Sequence, residues 1–507
     1  MGAAVAAVVY VWLAQGAAFL LTPRSIPLAF RLRAFGFWAV SAPIIFVFQN
    51  PLATMFILVA VMLVAAPLAR DRVAFFLVAA PAVPVFISAP LPFPGINFLT
   101  NLTHLKLAAL ALLLPVFISR NDSGRPGILS GPGLVVLIYV FYTSLMITLP
   151  TNITGGMRFF LDQLLLIALP YFAILYALRK TEDIDAFFQA FLIASLILAF
   201  VAILSRAKMW DIYARDAIYI MEIREGGMRV NATAGTHSLA FHLAAAFMLL
   251  EFLKHRLGIG WIMQNIMRVI LVAGMLTTGS RGALGGLIVA WCIYTFLTLR
   301  STPLRASLFF ALIAGTIAGS IWLAQGDVDA YDEHGTFSYR QELLWTSVDY
   351  IAKYPFFGDR HFLTSGVFDH LLQGQGIIDI TNLYLQVALT FGLIGLTLFS
   401  GVFVFPALAT AFSLLSFRRQ HSQATSSAHS ASESDTWFRA ACVVVSIIAG
   451  WLFLVVTTSD VGLTLHLGVV FAALCQCLRR LRPIAQPDPA TSSTPGTTGA
   501  PNTFAPA

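Results

Sequence analysis

Fifteen apolar runs divide the chain, near residues 3–21, 35–49, 52–69, 73–89, 105–118, 133–149, 161–178, 188–205, 238–253, 265–279, 283–299, 307–324, 385–413, 438–456 and 461–477. Inside lipid a segment must satisfy its own backbone N–H and C=O groups, which a helix does without neighbours. Each span takes about 20 predominantly apolar residues, so fifteen would take about 300. Hydrophobic residues make up 58% of the 507, just enough for that number. Only 11% are charged, less than half of the roughly 25% that a soluble domain carries. Disordered, collagen-like and disulfide-stapled chains need other compositions again. The expectation is an all-α polytopic membrane protein of about 12–15 transmembrane helices, since some runs are short for a span.

The connections between the runs alternate in charge. One set holds Arg24, Arg31, Arg33, Arg70, Arg72, Arg120, Arg125, Arg179, Lys180, Lys254, Arg256, Arg268, Arg300, Arg305, Arg418, Arg419, Arg439, Arg479, Arg480 and Arg482. These are 20 of the 31 basic residues, and the short-loop bias puts them in the cytoplasm. Topology therefore accounts for most of the basic charge behind the net +7, and nucleic acid is not needed to explain it. The remaining 11 fall mostly in two longer loops, 206–236 and 325–381, where the charge rule is weak. Fifteen spans put the N-terminus outside and the C-terminus inside. The first run lacks the basic stretch that precedes a secretory core, so it reads as an uncleaved helix.

The division expected is 1–205 N-terminal transmembrane helices, 206–236 an outer loop, 237–324 central transmembrane helices, 325–381 a large, partly helical outer loop, 382–482 C-terminal transmembrane helices, and 483–507 a disordered cytoplasmic tail. Gln420–Asp435, with His421 and His429 in a Ser-rich run, reads as a solvated linker. Cys292, Cys442, Cys475 and Cys477 all fall inside runs and read as helix-packing thiols rather than a metal or redox set. No repeat of transporter type is visible.

Three outward features carry chemistry. The first is Gly226-Gly227-Met228-Arg229-Val230-Asn231, followed by Gly235-Thr236-His237-Ser238 at a helix start. The second is Thr277-Thr278-Gly279-Ser280-Arg281-Gly282-Ala283, between two runs barely long enough to span. An Arg there is costly and is usually functional. Ser280 is placed to cap the next helix and add its positive end, and Gly282 and Gly286 let helices approach closely. The third is the loop with Tyr339-Arg340, Trp345, Tyr354-Pro355-Phe356-Phe357-Gly358 and Thr381-Asn382-Leu383-Tyr384-Leu385-Gln386. Residues 338–354 read as an amphipathic surface helix with Ser338 and Gln341 as a capping box, Leu344, Val348, Ile351 and Ala352 as its apolar face, and Trp345 and Tyr350 as interface aromatics. Pro355 and Gly358 end it.

His237 reads as a packing or capping residue as readily as a catalytic one, with His242 more than one turn deeper. His334, His361 and His370 share the long loop with Asp359, Asp369 and Asp379, a set that supplies candidate general bases but no zinc spacing. No phosphate-binding loop, dinucleotide fingerprint, nucleophile elbow or metalloprotease helix is present. A reaction here would use a substrate that reaches the outer face without nucleotide help.

The three features, in this order, resemble the O-antigen ligase and Wzy polymerase superfamily. The Thr277-x-x-Ser280-Arg281-Gly282-Ala283 element is similar to its T-x-SRG-type signature. Arg340…Trp345…Pro355…Gly358 resembles its R-x4-W…P-x-x-G loop. Asn382-x-Tyr384-Leu385-Gln386…Gly392-Leu393-Ile394-Gly395 resembles its HN-x-Y-L-Q…GLIG element. The resemblance covers roughly residues 225–400. It implies a fold like the GT-C-like glycosyltransferases, in the bacterial inner membrane, with its active face in the periplasm. It implies transfer from a polyprenyl-diphosphate-linked oligosaccharide to a growing glycan acceptor, inverting and without metal, nucleotide or other cofactor. The further partners implied are membrane lipids and a chain-length regulator protein, but no nucleic acid. Arg229, Arg281 and Arg340 would hold the diphosphate, supported by Ser280, Trp345, Asn382 and His237. The family's ligases often carry His directly before the Asn; Thr381 stands there, and Thr is a poor base. Asp379 is the first substitute, then His361 and His370. This departure puts a polymerase of O-antigen, capsule or exopolysaccharide repeat units ahead of a ligase acting on lipid A core. A transporter of lipid-linked glycan ranks third.

Overall fold

The computed structural model describes residues 2–48, 50–66, 71–95, 97–119, 131–149, 153–213, 223–224, 227–299, 301, 303–305, 307, 336–373, 376–421, 428–459 and 462–483. Within them the apolar runs become helices. In chain order these are α1 (Gly2–Leu21), α2 (Leu28–Val47), α3 (Pro51–Ala65), α4 (Arg72–Ala79), α5 (His104–Ala108), α6 (Leu114–Ile118), α7 (Pro132–Thr148), α8 (Ile153–Gln163), α9 (Leu169–Ala177) and α10 (Thr181–Lys208). They continue with α11 (Thr236–Arg256), α12 (Trp261–Leu276), α13 (Arg281–Thr298), α14 (Thr336–Lys353), α15 (Leu383–His421), α16 (Ala428–Leu454) and α17 (Thr464–Arg480). Among the described residues, eight helices are long and apolar enough to cross a membrane, and five shorter apolar helices accompany them. Two short hairpins, β1 (Ser88–Pro90) with β2 (Asn101–Thr103) and β3 (Ile223–Arg224) with β4 (Gly227–Met228), are antiparallel. The protein is an all-α polytopic membrane protein.

Local chemistry sets several boundaries. Asn50 caps α3 by accepting from the N–H groups of Leu52 at 3.0 Å and Ala53 at 3.1 Å, with Pro51 in the first helical position. The run at 73–89 stops being helical at Ala82, because Pro84 cannot continue it. Two helices carry a π turn, Ala109–Leu113 and Leu164–Ala168, each followed within two residues by a proline, Pro115 and Pro170. A proline ring meets the carbonyl four residues back, and the widened turn contains that residue in both cases, Ala111 and Leu166.

The loops that charge assigns to one side touch one another. Arg256 binds the Asp185 carboxylate at 2.6 and 2.8 Å, Arg418 reaches the Leu299 carbonyl at 2.6 Å, and the Trp437 indole reaches the Leu478 carbonyl at 2.6 Å. On the other side Val85 N–H donates to the Thr233 carbonyl at 2.9 Å, and Leu463 N–H to the Ser238 hydroxyl at 2.9 Å. The buried carboxylate of Glu251 is neutralised by Lys254 and Arg268, both from the basic set. Cys442, Cys475 and Cys477 are buried free thiols and Cys292 is half-buried, as helix-packing residues would be.

One expectation changes. The linker expected over Gln420–Asp435 is helical on both flanks, since α15 runs to His421 and α16 starts at Ala428. Ser and Ala are compatible with a helix end, and composition alone could not separate the two. The run at 307–324, His334 and the tail beyond Pro483 lie outside the described residues, apart from Ser307.

Candidate functional site

The turn between α12 and α13 is built by its own small residues. Gly279 adopts φ +61°, a region in which side chains are strained, so the chain reverses there. Ser280 caps α13: its Oγ accepts from Ala283 N–H at 3.4 Å, and it shares a hydrogen bond of 2.8 Å with Nδ1 of His237. His237 is the second residue of α11, so the Ser280–His237 bond ties two helix starts together.

Arg229 lies against this turn. Its Nε donates to the Thr278 carbonyl at 3.0 Å and its Nη2 to the Thr236 hydroxyl at 3.4 Å, while Val230 N–H donates to the Thr277 carbonyl at 3.2 Å. The guanidinium is largely buried. Two groups hold its strand from behind: Arg206 donates to the Met228 carbonyl at 2.8 Å, and the Asp211 carboxylate accepts from Asn231 N–H at 2.9 Å. Burial raises the Asp211 pKa above the ordinary carboxylate value, and the bonds from Asn231 oppose that shift.

Arg281 is the exposed first residue of α13. Behind it α13 packs on α16 so closely that a Cβ on Gly282 would collide with the Thr457 hydroxyl, and one on Gly286 would lie 2.8 Å from the Gly450 carbonyl. This is the close approach expected of a small-xxx-small pair. The same 455–458 turn receives the start of α15, because Leu383 N–H donates to the Val455 and Thr458 carbonyls at 2.9 and 3.0 Å. Asn382 caps α15 by accepting from Tyr384 and Leu385 N–H at 2.9 and 3.2 Å. Two helix N-termini thus meet on one turn, beside Arg281 and, through Thr278, Arg229. The dipoles of both helices add positive potential there. Asn382→Ala removes the α15 cap and should lower stability by about 1 kcal/mol, read as a small drop in unfolding temperature in detergent.

Arg340 approaches through its neighbour. The Tyr339 hydroxyl donates to the Asp379 carbonyl at 2.9 Å and accepts from Asp379 N–H at 3.0 Å. The first turn of α14 therefore sits beside Asp379, three residues before Asn382. Burial raises the pKa of the Tyr339 hydroxyl.

The orientation of α14 differs from the expected one. Leu343, Ser347 and Tyr350 form its packed face, against Phe362, Phe368, Leu371 and Leu389. Leu344, Trp345 and Val348 are exposed, Trp345 at 60%. Ser338 lies inside the helix, which is already formed at Thr336, so the capping box is absent. Hydrophobic spacing misled here because α14 has two apolar sides, and the side carrying Tyr350 holds the core. Tyr350 also donates to Asp359 at 2.5 Å; burial, reinforced by that bond, pushes its pKa up to about 12. Asp359's other oxygen accepts from His361 N–H at 2.8 Å, which makes Asp359 a strut.

The Pro355–Gly358 loop plugs a break in α15. Gly392 has φ +68° and ψ −173°, inside what would otherwise be one helix. The loop takes up the backbone groups freed there: Leu393 N–H donates to the Pro355 carbonyl at 2.7 Å, and Asp359 N–H to the Leu389 carbonyl at 2.7 Å. Sequence reading named Gly358 and Gly392 as motif residues but did not foresee that they touch. Helix-breaking glycines at both ends were the available signal. The Tyr339–Asp379 contact, forty positions apart in sequence, had none.

The remaining candidates lie elsewhere on the loop. His361 is exposed and bonds through its backbone to Asp359 and Thr364. His370 is exposed and faces Glu342 at 3.4 Å and Thr346 at 3.5 Å. Among the described residues, neither histidine makes a hydrogen bond or ion pair to Arg229, Arg281 or Asp379.

Residues 266–400 match the family model Wzy_C, described as O-antigen ligase. The match contains Ser280, Arg281, α14, Asp379, Asn382 and Gly392, and begins after Arg229 and His237. A search of curated proteins found no match to the chain.

Proposed function

We propose that the protein, whose residues 266–400 match the O-antigen ligase family model, is a member of the O-antigen ligase and Wzy superfamily and a periplasmic-face glycosyltransferase of a bacterial inner membrane. It polymerises polyprenyl-diphosphate-linked oligosaccharide repeat units of an O-antigen, capsule or exopolysaccharide. The observation that carries this reading is the meeting of α13 and α15 on the 455–458 turn, beside Arg281 and the buried Arg229. Such a corner suits an anion whose charge grows during reaction.

The chemistry follows from the leaving group. The acceptor sugar hydroxyl loses its proton to a base as its oxygen attacks the anomeric carbon of the donor. The bond from that carbon to the diphosphate oxygen breaks on the opposite side, so the configuration inverts. Polyprenyl diphosphate leaves with the bonding pair. Arg229, Arg281 and Arg340 hold its oxygens and stabilise the developing charge, a task for which a guanidinium fork is suited. Asp379 is the base best supported, since Tyr339 fixes its backbone beside Arg340. His361 and His370, turned to other partners, rank behind it.

Thr381 in the position before Asn382 favours a polymerase over a ligase, because Thr does not serve as a base. The ligase remains the second reading, as the family model's own description names it. The transporter reading has no support from that match.

Deletion followed by analysis of carrier-linked sugars separates these readings. Loss of a polymerase leaves single repeat units on the carrier and no long chains, whereas loss of a ligase leaves long chains on the carrier. Arg281→Ala and Arg340→Ala should each cut turnover by about 10²-fold. Normal polymer length in both variants would remove the Arg clamp from the mechanism.

A further inference from the structure

We propose that the exposed side of α14 is a track for the isoprenoid chain of the lipid-linked donor, leading it from the bilayer edge at α7 to Arg340. This rests on the diphosphate reading above and adds the path of the tail.

Arg340, Leu344 and Val348 are spaced four residues apart, so they form one row along α14. A cation heads the row and apolar side chains continue it, with Trp345 alongside. All four side chains are exposed. The row does not cover the core, because the packed face is the one bearing Leu343, Ser347 and Tyr350.

The far end of α14 reaches lipid depth. Tyr142 donates to the Phe391 carbonyl at 2.8 Å and lies 3.4 Å from the Phe356 carbonyl. Tyr142 stands six residues before the end of α7, which is about 9 Å along the helix. Arg360, four residues beyond Phe356, bonds to the Ile147 carbonyl nearer that end. The loop therefore dips below the helix ends, yet Phe356 and Phe357 are 63% and 57% exposed. At that depth they meet hydrocarbon. The surface thus joins a lipid-facing aromatic pair to a cation through an apolar row.

Its complement is an amphiphile with an anionic head and a long apolar tail. Within hydrocarbon such a tail gains little by moving from lipid to protein. The row acts where the diphosphate is drawn off the bilayer toward Arg340 and its first isoprene units would otherwise meet water.

The test uses the full chain in lipid nanodiscs, with undecaprenyl diphosphate and geranyl diphosphate as probes. Wild type should bind the long-chain probe more tightly. The double variant Leu344→Ser with Val348→Ser should weaken long-chain binding about tenfold and leave geranyl diphosphate within about twofold. Retained geranyl binding also shows that the variant is folded. Arg340→Ala should weaken both probes. If the double variant keeps the wild-type preference for the long chain, the row meets only bulk phospholipid and the track is overturned while the clamp stands. If wild type binds neither probe, the diphosphate reading falls, and the track with it.

Discussion

Replacing Arg229 with alanine should reduce glycan transfer about 10³-fold, the scale for removing a preorganised charge-stabilising donor. The effect should exceed that at Arg281 or Arg340, because Arg229 is largely buried while the other two are exposed to water. A charge held out of water acts through a lower effective dielectric. Arg229 also holds the Thr278 carbonyl, so the alanine variant loses part of the turn that presents Ser280 and Arg281. Arg229→Lys separates the two contributions. An ammonium can still donate to one carbonyl, but it has no planar fork for two phosphate oxygens. The lysine variant should unfold within a few degrees of wild type and still transfer glycan about 10²-fold more slowly. Turnover of lipid-linked repeat units and thermal unfolding, measured on the same preparations, decide it. Wild-type turnover in the lysine variant would assign Arg229 to the turn alone.

The fold was legible in the sequence to the extent that lipid forces the answer. An uncharged run has few ways to satisfy its backbone in hydrocarbon, and the helix wins. Contacts such as Arg256 with Asp185 and Arg418 with Leu299 agree with the charge alternation for a similar reason, since loops on one side of a bilayer can only meet one another. The site was legible as a set of residues, not as an arrangement. Ser280 could be named as a cap because its role is local. The buried position of Arg229 depends on its meeting the Thr278 carbonyl, 49 positions away, as well as the nearby Thr236, and no spacing in the sequence says that these two motifs converge. For α14, apolar residues on two sides gave a helix but not its packed face, because spacing does not say which side faces protein.

The second large effect concerns a residue with no charge and no side chain. Gly392→Ala should destabilise the seat of the Pro355–Gly358 loop by about 2–6 kcal/mol. Two independent costs support that figure. At φ +68° and ψ −173° the backbone occupies a region essentially confined to glycine, and holding another residue there costs about 1–3 kcal/mol. The added Cβ would also overlap the Phe356 carbonyl, a backbone atom that cannot swing aside as a long side chain can; overpacking of this kind costs about 1–3 kcal/mol more. Gly36 is the matched control, since a Cβ there meets nothing within 4 Å. Gly36→Ala in α2 should leave stability unchanged or raise it by up to about 1 kcal/mol. Limited proteolysis of the 354–360 segment, with unfolding temperature alongside, reads the difference. Rapid cleavage in Gly392→Ala and none in Gly36→Ala is the expected result. Equal resistance in both would mean that the loop is held by α14 and not by the break in α15. Because the C-terminal end of α14 is anchored through that loop, Gly392→Ala should also slow transfer without altering any charged group, as expected if Arg340 must be delivered to the α13–α15 corner by a fixed helix.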